Sequence, residues 1–236
     1  QLYAASRGMG PSLAVEGGAQ RLPEAMAESL SRSVLTGHMI SRIEAGPDAV
    51  TVTTEAGQTF RAPHCICALP FGALRHVALN APLAQIQYSA IESLPYTQIY
   101  QIHFRAETPF WETDGLPVDM WTDSPVERIF ANLSEDGSPT GLFRAWTNGA
   151  SANFWAAQSN VKAAFTSTLK TIRPATGGNI DILAVQDWTS RNSLAGGAYM
   201  HWAPGQISGM AETMPAPAGR LHFAGEHLSY LHTGME

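Results

Sequence analysis

The last eighteen residues, Gly219 to Glu236, constrain this chain more than any other stretch. Leu221-His222-Phe223-Ala224 reads as a short buried strand behind a hairpin-type Gly219, and Gly225 breaks it. A polar loop rich in His and Ser comes next, and Thr233-Gly234-Met235-Glu236 reads as the first turn of a helix. A strand, a glycine, a polar loop and a helix start bring backbone N–H groups against a bound anion or an electron-rich carbonyl. Glu226, directly after the glycine, is placed to accept a hydrogen bond from a ligand hydroxyl.

The 236 residues suffice for one large domain or two smaller ones. Hydrophobic residues at 44% and charged ones at 14% describe a folded, well-buried chain. A net charge of −6, with no run of Lys or Arg, argues against a nucleic-acid surface. No apolar run approaches the roughly 20 residues of a membrane helix, and no signal peptide is visible at Gln1. Both ends read as cut, as in a portion of a longer protein. Cys65 and Cys67 are expected not to pair with each other and read as small core residues. The eight histidines fall into no metal-ligand spacing, so no metal site is expected.

Residues 8–18 are glycine-rich but do not form G-x-G-x-x-G between a strand and a helix, and no acidic residue stands at the dinucleotide spacing. Gly17-Gly18 reads as a turn into a helix, with Pro23 in its first turn and Leu22, Met26, Ala27 and Leu30 at helical spacing. Val34 to Glu44, Ala49 to Thr54 and Gln58 to Ala62 form a β-meander with turns at Gly46-Pro47-Asp48 and Glu55-Ala56-Gly57. His64 to Pro70 is a continuous apolar run, expected to be a strand buried on both faces. Further on, a helix near Leu83 to Leu94 and a strand over Tyr96 to Phe104 are expected. Strands are expected within 116–134 and 140–149, then a helix over 155–172 and a strand over Ile182 to Trp188. Trp111, Trp121, Phe130, Phe143 and Trp146 are expected to line a sheet core, with one or two facing a cavity.

Three of these stretches together resemble the flavin-dependent amine oxidases, the group of monoamine, polyamine and L-amino acid oxidases. They are H-F-A-G-E-H before a Gly-Met-Glu helix start, the double glycine before L-P-E-A-M-A, and Trp188, a loop, Gly196-Gly197-Ala198-Tyr199 and Pro204-Gly205. The resemblance runs from Val15 to Glu236 and implies an α/β (α+β) fold. An incomplete FAD-binding Rossmann-like domain (1–80 and 191–236) would flank a mixed-sheet substrate domain (81–190). It implies that Gly17, Gly18, Ile40, Pro70, Trp188, Gly225, Glu226, Thr233, Gly234 and Met235 lie along FAD. Ala198 occupies the position that carries a cysteine in covalently tethered members, so the flavin is expected to be non-covalent. Tyr199 matches one wall of an aromatic cage that orients the substrate amine, and is the catalytic candidate. The second wall falls at Gly234, which has no ring, so the resemblance implies a wider pocket or one closed by another ring such as Tyr230 or Trp202. On the strand that carries a lysine in several members, the best match is Tyr100, with Gln101 beside it.

The implied reaction is oxidation of an amine or L-amino acid to an imine, with dioxygen reduced to hydrogen peroxide. Its implied partners are the small-molecule substrate, dioxygen and the missing N-terminal FAD-binding segment, on the same gene or a companion chain; a homodimer is allowed. The chain alone is expected not to hold FAD tightly. A non-catalytic flavoprotein-like subunit and a flavin-dependent desaturase or isomerase relative remain open alternatives.

Overall fold

Hydrophobic alternation and turn glycines set most of the strands and their connections. The structure, a computed structural model, describes residues 15–192 and 194–229. Tyr230, Thr233, Gly234 and Met235 lie outside them. The chain divides at Met39 into two compact units.

In the first unit, Gly17 and Gly18 both take positive φ (77° and 94°), and Gly18 N–H donates to Val15 O across the turn. Helix α1 (Arg21–Glu28) comes next, held at its start by Gln20 Nε2 donating to Glu24 Oε1 at 2.7 Å. None of its residues is buried; Leu22 and Met26 on its apolar stripe are exposed.

The second unit opens with the meander β1 (Ile40–Ala45), β2 (Val50–Thr54) and β3 (Thr59–Ala62), antiparallel throughout. The strand expected from Val34 begins only at Ile40. After β4 (Cys65–Cys67), helix α2 (Phe71–Leu74) leads to β5 (Ala78–Asn80), which joins β1 in parallel. Helix α3 (Gln85–Ser93) completes this part. Its core gathers Ile43, Phe71, Leu74, Leu94, Tyr96 and, from far along the chain, Met200 and Leu221.

A second core lies under a five-stranded antiparallel sheet ordered β10-β6-β9-β8-β7. Its elements, in chain order, are β6 (Ile99–Ala106), α4 (Phe110–Asp114), β7 (Met120–Trp121), β8 (Arg128–Leu133), β9 (Pro139–Asn148), α5 (Gly149–Ala156), α6 (Val161–Ile172) and β10 (Ile180–Trp188). Phe104, Phe110, Phe143, Trp155, Phe165 and Leu169 pack here. The single helix expected over 155–172 is two, because Asn160 Oδ1 accepts the Ala163 N–H and starts a new helix. Of the five aromatics assigned to the sheet, Phe143 and Trp111 belong to this core, while Trp121, Phe130 and Trp146 fall on the opposite face by alternation.

After the short helix α7 (Ile207–Met210), β11 (Leu221–Phe223) pairs in parallel with β4. The expectation that β4 is buried on both faces is corrected by its burial pattern. Cys65 and Cys67 share the side facing the first core, whereas Ile66 is 71% exposed. The described residues cover only one face of this two-stranded sheet. Cys65 N–H donates to Arg220 O and Ala224 N–H to Cys67 O, both at 3.0 Å. That parity turns the Ile66 N–H and C=O toward the other edge. Ala218 and Leu221 exchange hydrogen bonds beside β11, but β4 has no strand neighbour on its far side among the described residues.

Candidate functional site

The carboxyl ends of β4 and β11 lie side by side, where the loops of a parallel sheet gather their ligands. From β4 the chain passes through Pro70, whose extended conformation starts α2. From β11 it passes through Gly225, at φ 131° and ψ 171°, a conformation essentially reserved for glycine. His227 turns back beneath this turn, its ring 4.5 Å from that of Phe71.

A third segment arrives from residue 188 onward. Gly196 and Gly197 let it press against α2 and Tyr96: a Cβ on Gly196 would stand 2.4 Å from the Gly72 carbonyl carbon, and one on Gly197 2.3 Å from Tyr96 Cβ. Tyr96 is fixed there by its hydroxyl, which accepts the Phe71 N–H at 2.9 Å, and burial pushes its pKa up to about 12. The chain then runs antiparallel to 96–98, with Ala198 N–H donating to Thr97 O and Thr97 N–H to Tyr199 O, both at 2.8 Å. Met200 N–H donates to Glu226 Oε1 at 3.0 Å. This bond ties the Tyr199 segment to the Gly225-Glu226 turn.

Pro70, Gly225, Glu226 and the backbone beside Tyr199 therefore meet. The Tyr199 side of this junction is open, the residue being 42% exposed. Trp188 ends β10 opposite Ile99, and Ile40 sits at the bulge that opens β1. Trp202 packs on the first core. Gly17 and Gly18 belong to the first unit. Tyr100 is buried in the second core, away from the open face of the sheet. Gln101 has the opposite parity and takes that open face. Among the described residues no group of three or more His, Cys, Asp or Glu forms a metal site, and no helix is long and apolar enough to cross a membrane.

The family model for flavin-containing amine oxidoreductases matches residues 1–236. The chain belongs to that family. Among curated relatives, the flavin-dependent L-tryptophan oxidase of Lentzea aerocolonigenes is 27% identical over 92% of this chain and 48% of its own length. The L-amino-acid oxidase of Echis ocellatus is 27% identical over 92% and 45%. The chain thus spans about half the length of the curated relatives it matches. Solved structures of similar fold include putrescine oxidase bound to putrescine (TM-score 0.68, 22% identity, covering 90% of this chain and 48% of that one). Cyclohexylamine oxidase from Brevibacterium oxydans is another (TM-score 0.69, 20%, with the same coverage). An α/β flavoenzyme fold follows, and membership brings FAD as the cofactor.

The residues present fit that group. Glu226 Oε2 is buried with no hydrogen-bond partner among the described residues, and burial raises the carboxyl pKa. A buried carboxylate oxygen without a donor is costly, and a hydroxyl on a bound cofactor would supply one. A Cβ on Gly225 would stand 3.1 Å from the His227 ring, so the glycine lets the turn close over that ring.

His227 gives this site a pH signature. Burial lowers its pKa to about 4, and the ring is nearly inaccessible. The unfolded chain takes up this proton near pH 6.5 and the folded chain does not. The contribution of a neutral His227 to stability is therefore complete above about 6.5 and is lost as pH falls toward 4. In urea melts across this window, His227→Gln is expected to flatten the slope relative to the parent. An unchanged slope would assign it to other groups.

Proposed function

We propose that this chain forms the substrate-facing part of an FAD-dependent oxidase that converts an amine or amino acid to an imine, with dioxygen reduced to hydrogen peroxide. The observation that carries this reading is the division of labour at Glu226. One oxygen holds the Met200 amide next to Tyr199, and the other lies buried and free, among the described residues, for a ligand hydroxyl. FAD, when bound, supplies the acceptor for the two electrons leaving the carbon beside the amine. Tyr199 orients the amine with its ring face and excludes water from that side. Ala198 offers no nucleophile for a covalent tether, so the cofactor is held by hydrogen bonds and packing alone.

The relatives and structural neighbours named above are oxidases of tryptophan, amino acids, putrescine and cyclohexylamine, all compounds carrying an amine, while another relative is an L-amino acid dehydrogenase of Synechocystis. The open edge of β4, with Ile66 exposed beside it, is where further parallel strands of an FAD-binding domain would join. That segment is the partner we propose, from the same gene or a companion chain. Residues 1–80 and 191–236 would then belong to the FAD-binding domain and 81–190 to the substrate domain.

The test uses the flavoprotein assembled with that segment, assayed for peroxide with amines and amino acids. Glu226→Ala is expected to weaken FAD retention about 10- to 100-fold, the worth of a hydrogen bond to a charged group. Glu226→Gln should recover part of it. An assembled protein that binds FAD but makes no peroxide with any amine or amino acid would refute the oxidase reading.

A further inference from the structure

The open face of the five-stranded sheet is not an ordinary solvated surface. Strand register sets Gln101, Trp146, Arg128 and Trp121 side by side in one row across β6, β9, β8 and β7. The next row holds His103, Arg144 and Phe130. Their chain neighbours Ile102, Ala145 and Ile129 point into the second core. The face therefore carries two cations on diagonal positions, Arg128 opposite Trp146 and Arg144 two residues before it.

The rings hold these cations without neutralising them. The Arg144 guanidinium carbon lies 5.1 Å from the Trp146 ring centre and 6.0 Å from that of Phe130, and Arg128 lies 5.5 Å from Trp121. Among the described residues Arg144 makes no ion pair, and its Nε and the Arg128 Nη2 are buried with no hydrogen-bond acceptor. The carboxylate that pairs with Arg128 is Glu127, whose Oε2 stands 3.7 Å from Nη2 and already accepts the Asn148 N–H. Glu127 is held at φ 53°, where only this non-glycine residue of the described chain is found. His103, in register with Arg144, has its pKa lowered by burial and then by that cation, which disfavours a further positive charge on this face. Arg128 has one carboxylate, Glu127, and Arg144 has none among the described residues, so two neighbouring guanidinium groups with N–H groups unused cost free energy unless a further anion completes them.

We propose that Arg144 and Arg128 form a subsite for a carboxylate on the substrate, remote from the amine being oxidised. The proposal rests on the oxidase reading for the position of the amine. Tyr199 is in register with Thr97, two residues before β6, and alternation from there puts Thr97, the buried Ile99, Gln101 and His103 on one face. From Thr97 to the Gln101 row is about 13 Å along the strand, and Arg128 lies two strands, about 10 Å, to the side. Arg144 lies one row further, about 20 Å along and one strand to the side, so even with side chains extended toward each other the cations stand at least on the order of 10 Å from the Tyr199 ring. An α-amino acid, whose carboxylate adjoins its amine, does not span that gap. An elongated amine ending in a carboxylate does, with the aromatic row beneath its chain. Arg, with its planar fork, suits a carboxylate better than Lys would.

The assembled flavoprotein decides this with an eight-carbon ω-amino acid, the matching alkylamine and an α-amino acid as substrates. Arg144→Gln is expected to raise KM for the ω-amino acid about 10-fold or more with kcat nearly unchanged, and to leave KM for the alkylamine alone. Arg144→Lys should fall between. Equal losses on the ω-amino acid and the alkylamine, or a loss confined to the α-amino acid, would overturn the proposal. A calorimetric titration with suberate, an eight-carbon dicarboxylate, reads the arginine pair without turnover. Binding to the parent that disappears in Arg144→Gln supports the subsite even if no amine is oxidised, and absence of binding to the parent rejects it. Thermal melts of the variants separate either result from unfolding.

Discussion

Gly197→Ala is expected to destabilise the second unit by about 3–5 kcal/mol, combining forced overpacking with an unfavourable backbone conformation. The added Cβ would sit 2.3 Å from Tyr96 Cβ, and Gly197 holds φ at 129°, where L side chains rarely go. Tyr96 cannot yield, because its ring is buried and its hydroxyl anchors the first amide of α2. Gly196→Ala meets the Gly72 backbone instead, at 2.4 Å, and a peptide group gives way even less than a side chain. The damage spreads in a definite direction. If residues 196–197 are pushed outward, the pairing of Thr97 with Ala198 and Tyr199 opens, and the Met200 amide leaves Glu226. Gly205→Ala is the control: its φ is also positive at 81°, but none of the described residues comes within 4 Å of the new methyl. Denaturant melts should show the control losing about 1 kcal/mol and Gly197→Ala several times more. Comparable losses in the two would mean that the close approach does not matter.

The glycine pair is legible in the sequence as a motif but not as geometry. Gly196-Gly197 stands out beside Tyr199, yet nothing in the sequence names Gly72 and Tyr96 as what they pass against. The meander, β6, β10 and the Leu221 strand can be read because alternation and turn residues are local signals. His64 to Pro70 misleads for an equally physical reason. A continuous apolar run signals double-sided burial only when the chain itself supplies both covering layers, and the described residues leave Ile66 with none. Tyr100 is singled out by its match to the family's lysine position, yet parity along β6 sends it inward and leaves Gln101 outside. The pairing of Glu226 with the Met200 amide joins residues 26 apart and carries no sequence signature. Nor does the meeting of Arg128 and Arg144, which depends on the register of β8 against β9.

Arg173→Met is expected to cost about 3–5 kcal/mol, the worth of the four hydrogen bonds that the buried guanidinium donates. Arg173 ends α6 with its side chain 3% exposed and gathers the connection that leaves α4. Nε and Nη2 each donate to an Asp114 oxygen at 2.9 Å, Nη1 donates to Pro117 O at 2.8 Å, and Nη2 also reaches Leu116 O. The guanidinium lies 4.6 Å from the Phe110 ring centre, and Phe110 packs on Phe143 of β9. Methionine fills the volume but strands two carbonyls and a carboxylate. Arg173→Lys should lose much of the same stability, since one ammonium cannot reproduce the fork. The Arg173 hydrogen bonds hold the Asp114 carboxyl below its usual pKa, so the pair contributes fully above the unfolded carboxylate range. That contribution is lost as pH falls through the folded value. The parent should therefore lose stability on acidification that Arg173→Met has already lost, and the two melting curves should converge at low pH. Parallel curves would mean that the clamp is not what links α4 to α6. The consequence reaches the open face, because Phe143 and Arg144 are adjacent on β9: the core that Arg173 fastens is the floor on which the arginine pair stands.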